Sequence, residues 1–237
     1  MRFAAAILLA LPLVSCGSEP EATSSTLPAD GATRLRVLVV GGRVTVRTDS
    51  AGTMRVEAKG KVDVAAEGSD LVVRGGEDLA SLEVTVPAGL DLDLMGRGAE
   101  VTVEGAWGRL KVKTMDGAIK VRAAAAGGHI GTVTGAIDVA CSQPPETDLG
   151  IESDGGDLAV RIPEAFHGGV QVGGAKGKIE IVPHKRQTRM VWDPDETNVK
   201  GWVGPVPSQA EIEDPDWKDR PSVIVRTKTG SVRFELN

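Results

Sequence analysis

The sequence predicts an all-β chain: a single-domain β-solenoid, or β-helix, of short two-strand repeats with a Trp/Pro-rich insertion before the last repeat. Three observations predict it. Apolar and polar residues alternate with the period of two that marks strands with one buried and one wet face. The 237 residues include 30 Gly but only 3% aromatic residues and no Tyr, so the core must be built from Val, Ile, Leu and Ala. Finally, a two-strand unit recurs around a turn glycine at steps of 18 to 21 residues.

The amino terminus stands apart from this pattern. Residues 1–15 carry one cation, Arg2, and an apolar run from Phe3 to Val14 interrupted by Pro12. This is the layout of a signal peptide, and it falls short of the roughly 20 apolar residues that span a bilayer. The tetrad Leu13-Val14-Ser15-Cys16 resembles a bacterial lipobox. That resemblance implies cleavage before Cys16, acyl chains on its sulfur and membrane attachment without a spanning segment. By analogy with lipoprotein sorting, Gly17 in place of Asp implies an outer-membrane address. Residues 16–32 are then the lipidated cysteine and a Ser/Thr/Glu/Pro-rich stretch expected to be a flexible tether. The domain occupies 33–237. With Cys16 acylated, Cys141 has no disulfide partner within the chain. It reads as a small buried hydrophobe, since no neighbouring base would activate a catalytic thiol.

The repeat organises the rest of the chain. Relative to a turn residue at zero, apolar residues recur at minus seven, minus five, plus two and plus four, often with a small or hydroxyl residue at minus three. Leu35-Val37-Val39-Gly42-Val44-Val46 opens the series, and Leu92-Leu94-Gly96-Ala99-Val101-Val103 has Ala at the turn position. Leu110-Val112-Thr114-Gly117-Ile119-Val121, Gly128-Ile130-Thr132-Gly135-Ile137-Val139 and Leu149-Ile151-Ser153-Gly156-Leu158-Val160 come next. Val170-Val172-Gly174-Gly177-Ile179-Ile181 and Val223-Val225-Thr227-Gly230-Val232-Phe234 complete it. From Ala99 the turn position advances by 18, 18, 21 and 21 residues. A unit this short cannot bury its own apolar face, so units must stack and share a core. The turn glycine is expected to supply positive φ. The minus-three residues are expected to face inward near the turn, where bulky side chains of adjacent rungs would collide. Residues 53–87 keep the alternation but not the unit, and are expected to form hairpin-like or irregular strands.

The phrases LKVKTMDGAIKV, LGIESDGGDLAV and VIVRTKTGSVRFEL resemble the recurring unit of the bacterial putative-adhesin domain family, related to autotransporter adhesin-head-like β-helices. The resemblance runs from about Leu35 to Leu236. It implies the fold, and by the family's name an adhesive role, although architecture alone does not establish an activity.

Between Gly177 and Gly230 an insertion, 184–221, breaks the pattern. It holds Trp192, Trp202 and Trp217, five prolines, an acidic run, and the basic cluster His184, Lys185, Arg186 and Arg189. Two readings stand. The tryptophans cap an open strand edge, or they form a platform for a glycan or partner peptide, with the cations near an anionic glycan or lipid head group. Asp193, Asp195 and Glu196 lack the spacing of a calcium loop. His129 and His167 lie beside glycines without a nucleophile motif and read as surface or turn residues, while Trp107 reads as a corner plug in a tight turn.

Net charge is −6, which excludes a nucleic-acid binder relying on Lys/Arg against phosphate. No catalytic, metal or cofactor motif is found. The chain therefore reads as a non-catalytic, lipid-anchored envelope protein, a structural or binding module for an envelope protein or glycan. The alternative is a β-helix enzyme acting on polysaccharide, for which Asp138 and Glu180 are the aligned outward carboxylates.

Overall fold

A computed structural model describes residues 22–174, 176–182, 188–192, 197–203 and 220–237, with the backbone alone for 188–192. Nineteen strands and no helix occur among the described residues. Their hydrogen-bonded pairings separate into two rows.

The first row runs through β5 (Val62–Glu67), β6 (Asp70–Gly75), β2 (Arg34–Val40), β8 (Asp91–Arg97), the second half of β9 (Glu100–Thr114), the second half of β10 (Ile119–Thr132) and β12 (Leu149–Ser153). It continues through β18 (Ser222–Thr227), β14 (Gly168–Gly174), β17 (Asn198–Val203) and β16 (Thr188–Trp192). The second row runs through β1 (Ala22–Pro28), β4 (Thr53–Lys59), β7 (Ser81–Pro87), β3 (Arg43–Asp49) and the first halves of β9 and β10. It ends with β11 (Ile137–Cys141), β13 (Leu158–Ile162), β19 (Val232–Leu236) and β15 (Ile179–Val182). Pairings are parallel from β6 to β14 in the first row and from β7 to β15 in the second.

The chain alternates between the rows, one strand of each unit in each, because each arm carries a period-two apolar face that only a second sheet can cover. Inward residues of both rows, such as Leu94, Val112, Ile130 and Ile151 in one and Val84, Val103, Val121 and Val160 in the other, join one buried cluster. β-Branched residues suit these positions, which are packed on every side within a pleated surface.

Spatial order departs from chain order at both ends. β2–β3 lies inside β6–β7, and the last unit, β18–β19, lies between β12–β13 and β14–β15. β6–β7 is thus a full unit within the stretch expected to be irregular. Two additional residues between Gly75 and Leu82 hide it from the repeat spacing. Antiparallel strands cover the end units: β4 and β1 over β7, β5 over β6, and β17 and β16 over β14. Residues 22–28, placed by composition in the flexible tether, form β1. Their Ser and Thr residues are compatible with an exposed edge strand that pairs along its whole length with β4.

The turn glycines correct a second expectation. Gly42 has φ +78°, but Gly117, Gly135, Gly156, Gly177 and Gly230 do not have positive φ. Their need is close approach: a Cβ on each would overlap the backbone carbonyl of the residue stacked before it, Ala99, Gly117, Gly135, Gly230 and Gly156 respectively. The glycines form a column in which successive backbones nearly touch.

Beside that column runs a ladder of the minus-three hydroxyls. Thr114, Thr132, Ser153 and Thr227 are the buried polar residues among the described residues. The Gly135, Gly156 and Gly230 amides donate to the hydroxyls of Thr132, Ser153 and Thr227 at 3.2, 2.8 and 3.0 Å. Those hydroxyls are positioned to donate to the carbonyl of the glycine one unit before, Gly117, Gly135 and Gly156, at 3.2, 3.3 and 3.2 Å. The turn thus satisfies polar groups that the core would otherwise strand. Thr132→Val retains the shape and removes these bonds, and is expected to cost about 1–3 kcal/mol. The midpoint of urea unfolding measures it.

Candidate functional site

The outward positions of the second row form an ordered polar surface. Period-two alternation turns Lys120, Asp138, Ala159, Arg233 and Glu180 to the same side on successive strands. Arg122, Arg161 and Glu235 occupy the next outward column.

An ion-pair chain crosses this face. Arg122 pairs with Asp138, which also meets Arg161 at 3.3 Å. Arg161 reaches Glu235 at 3.7 Å, and Arg233 joins Glu235 at 3.9 Å to Glu180 at 3.3 Å. All six side chains are partly exposed, so each pair contributes about 1 kcal/mol or less. Their combined effect is to fix the relative register of five strands, including the late-arriving β19.

Next to this chain lies an open groove of about 590 Å³, floored by the small side chains Ala118, Ala136, Ala159 and Ser231 and flanked by Lys120 and Lys178. It crosses six neighbouring strands, about 24 Å at the usual interstrand spacing. Such a trough can hold an extended chain lying along the stack, with charged groups of both signs at its margins. It has no aromatic lining on which a sugar ring could stack.

The aligned carboxylates do not make an acid–base pair. Asp138 and Glu180 lie three strand steps apart, about 14 Å, which exceeds the separations that serve glycoside hydrolysis. Both carboxylates are engaged by guanidinium groups. Among the described residues no group of three His, Cys, Asp or Glu side chains could hold a metal ion.

His129 stands on β10, not in a turn, and is half-buried, its ring within 3.2 Å of where a Cβ on Gly131 or Gly150 would lie. Burial, with Lys113 nearby, holds the imidazole below its ordinary pKa. His167 is exposed. Trp107 lies within the continuous strand β9 at the corner between its halves, buried, with Nε1 donating to the Glu104 carbonyl at 3.1 Å. Sequence reasoning places it at a corner but not in a strand, because parallel pairing continues round the bend.

Cys141 is half-buried against the core at the end of β11. Burial pushes its thiol up to about 11. At pH 8 the thiolate is about one part in a thousand, so the thiol is expected to be inert to Ellman's reagent until the chain unfolds. Fast colour development by the folded protein would contradict this.

The insertion is described only in part. Its strands β16 and β17 form an antiparallel pair laid along β14, as an edge cover does. Trp202 on β17 is half-buried, with the Arg220 guanidinium 5.8 Å from its ring centroid, and Arg189 is its register partner on β16. Trp192 is on β16, opposite Val199. His184, Lys185, Arg186, Trp217, Asp193, Asp195 and Glu196 lie outside the described residues, as do Cys16 and residues 1–15. Of the three tryptophans, Trp202 has its side chain among the described residues.

The fold and this face define an all-β protein with a long ion-paired surface and without an assembled catalytic constellation among its described residues. Residues 91–237 match the profile of the family described as "Domain of unknown function (DUF7330)", and the chain belongs to that family. Three solved structures are similar at low identity. "A putative cell adhesion protein" from Clostridium sporogenes is 8% identical with a TM-score of 0.49, over 92% of this chain and 100% of that one. "A putative adhesin" from Bacteroides fragilis is 11% identical with a TM-score of 0.44, over 93% and 100%. Another from Parabacteroides merdae is 7% identical with a TM-score of 0.35, over 92% and 96%. No curated protein matches the chain.

Proposed function

We propose that the protein is a non-catalytic, lipid-anchored β-solenoid of the bacterial envelope, with an adhesin-like binding face on the outward side of its second strand row. The observation that carries this reading is the groove beside the ion-pair chain. Asp138 and Glu180 are tied to arginines on neighbouring strands, so the face offers shape and fixed charge in place of a reactive pair. Alternation of the chain between two parallel rows supports the solenoid, and the tetrad ending at Cys16 supports the anchor. An outer-membrane address follows from Gly17 by analogy. The ligand is an extended envelope glycan or peptide that lies across several rungs.

Two experiments test the reading. Cys16→Ser is expected to abolish metabolic labelling with a radioactive fatty acid and to release the protein into the aqueous phase on detergent partition; retention in the detergent phase would reject the anchor. A pulldown from crosslinked intact cells compares the parent with Ala136→Arg, which fills the groove from an exposed position. The expected outcome is capture of a specific glycan or peptide by the parent and its loss in the variant. Equal capture by both would move the binding face elsewhere.

A further inference from the structure

The large apolar side chains exposed among the described residues are Val40, Met95, Met115 and Val133, at 38%, 42%, 48% and 43% exposure. They are not scattered. Val40, Met115 and Val133 each stand two residues before the turn residue of their unit, Gly42, Gly117 and Gly135, while Met95 stands two residues further back on β8, in register with Leu38 and Lys113. Val40, Met115 and Val133 therefore lie along one edge of the stack, where the first row turns into the second, and Met95 lies beside that edge on the unit between Val40 and Met115.

The chain enters the domain at this edge. Ala22 is in register with Lys59, Lys59 with Ser81 and Ser81 with Arg43, the first residue after the Gly41–Gly42 turn. Cys16 precedes Ala22 by six residues, a reach of about 20 Å when extended. The offset from β1 to β3 along the stack is about 14 Å, so acyl chains on Cys16 and the apolar ridge can meet one plane together.

Charge along the edge agrees. Arg97 interrupts the row at the place opposite Val40, Lys113 stands opposite Met95, and neither makes an ion pair among the described residues. The acid within it, Asp116, accepts a hydrogen bond from Thr134 at 3.2 Å, and Glu100 pairs with Arg43 at 3.6 Å. Past Val133 the same turn position becomes Asp154 and then Lys228, ion-paired at 2.8 Å, so the apolar stretch ends in the half of the stack far from the anchor.

We infer that this turn edge is a membrane-docking surface: it lies on the lipid bilayer, Val40, Met95, Met115 and Val133 entering the headgroup boundary while Arg97 and Lys113 face lipid phosphates. The stack axis then runs parallel to the membrane, and the groove of the second row opens to its side. This orientation rests on the reading of Cys16 as an acylated anchor.

The test uses the full lipidated protein, reconstituted into phosphatidylethanolamine–phosphatidylglycerol vesicles that carry a doxyl-labelled lipid. A fluorophore is attached to Val133→Cys or, on the opposite edge, to Glu146→Cys; both positions are exposed, so the core is untouched. Quenching at Val133→Cys is expected to exceed that at Glu146→Cys about threefold. Mass spectrometry of the Cys16 peptide is run on the same sample. Equal quenching with the acyl group present overturns the docking surface and leaves the anchor standing. An unmodified Cys16 overturns the anchor, and the docking surface with it. Concentration-dependent shielding of the Val133→Cys label without vesicles would show that a second copy covers the ridge, and would also overturn the inference.

Discussion

Gly135→Ala is expected to prevent the chain from folding, at a cost of about 4 kcal/mol or more. The new Cβ would overlap the carbonyl oxygen of Gly117 and lie 2.5 Å from its carbonyl carbon. Ordinary overpacking is relieved when side chains change rotamer, but here the obstruction is backbone held by hydrogen bonds on both sides. Separating the units to make room would also break the bond from Thr132 to the Gly117 carbonyl. Gly155→Ala is the control: its Cβ would meet nothing nearer than 3.5 Å, and stability should change by about 0.5 kcal/mol or less. Urea unfolding of both variants followed by far-ultraviolet circular dichroism decides the matter. Equal midpoints would show that the units do not stack through their glycines.

A stop codon at Pro221 is expected to be as damaging as a core deletion, although it removes only the carboxyl-terminal end. The lost strands β18 and β19 bring Val223, Val225, Val232, Phe234 and Leu236, each at most 4% exposed, and they separate two other units. At about 1.5–3 kcal/mol for each buried side chain, the loss is on the order of 10 kcal/mol, comparable to the whole stability of a domain. The truncated chain should be degraded by protease under conditions that leave the parent intact. In the parent, the amides of Val225 and Phe234 should exchange as slowly as those of Val112 and Ile130, in contrast to the fraying expected of a chain end. Fast exchange there would refute the intercalated position.

The strands from Leu92 to Val160 were legible in the sequence because each position there has a consistent chemical demand: apolar inward, hydroxyl beside the turn, glycine where backbones approach. The spatial order was not, since the pattern Val170-Val172-Gly174 and the pattern Val223-Val225-Thr227 are nearly interchangeable and either could follow Ser153. Pairing at the ends depends on which copies meet, information that no single unit carries. The role of glycine was misassigned for a related reason: local turn chemistry favours positive φ, whereas the controlling contact comes from a residue 18 or more positions away. β1 was hidden because an exposed edge strand needs no apolar alternation. The groove of the second row left only a faint signal, Ala118, Ala136 and Ala159 at outward positions where charged residues are usual. Asp138 and Glu180 were correctly placed on one face, but their arginine partners on neighbouring strands could be assigned only from register.

Both ends of the stack are closed by antiparallel strands of the same chain, while the units β2–β3 and β18–β19 sit one rung inward. Lengthening such a protein by adding a unit at a terminus would place the newcomer between rungs that already fit each other. Duplication of an internal unit, such as the 18 residues that separate Gly117 from Gly135, meets no such obstacle: the copy takes its place between its parent and the next rung, and both closures persist. The architecture therefore directs gene duplication to the middle of the chain, where the regular 18- and 21-residue steps are found, and leaves its ends singular.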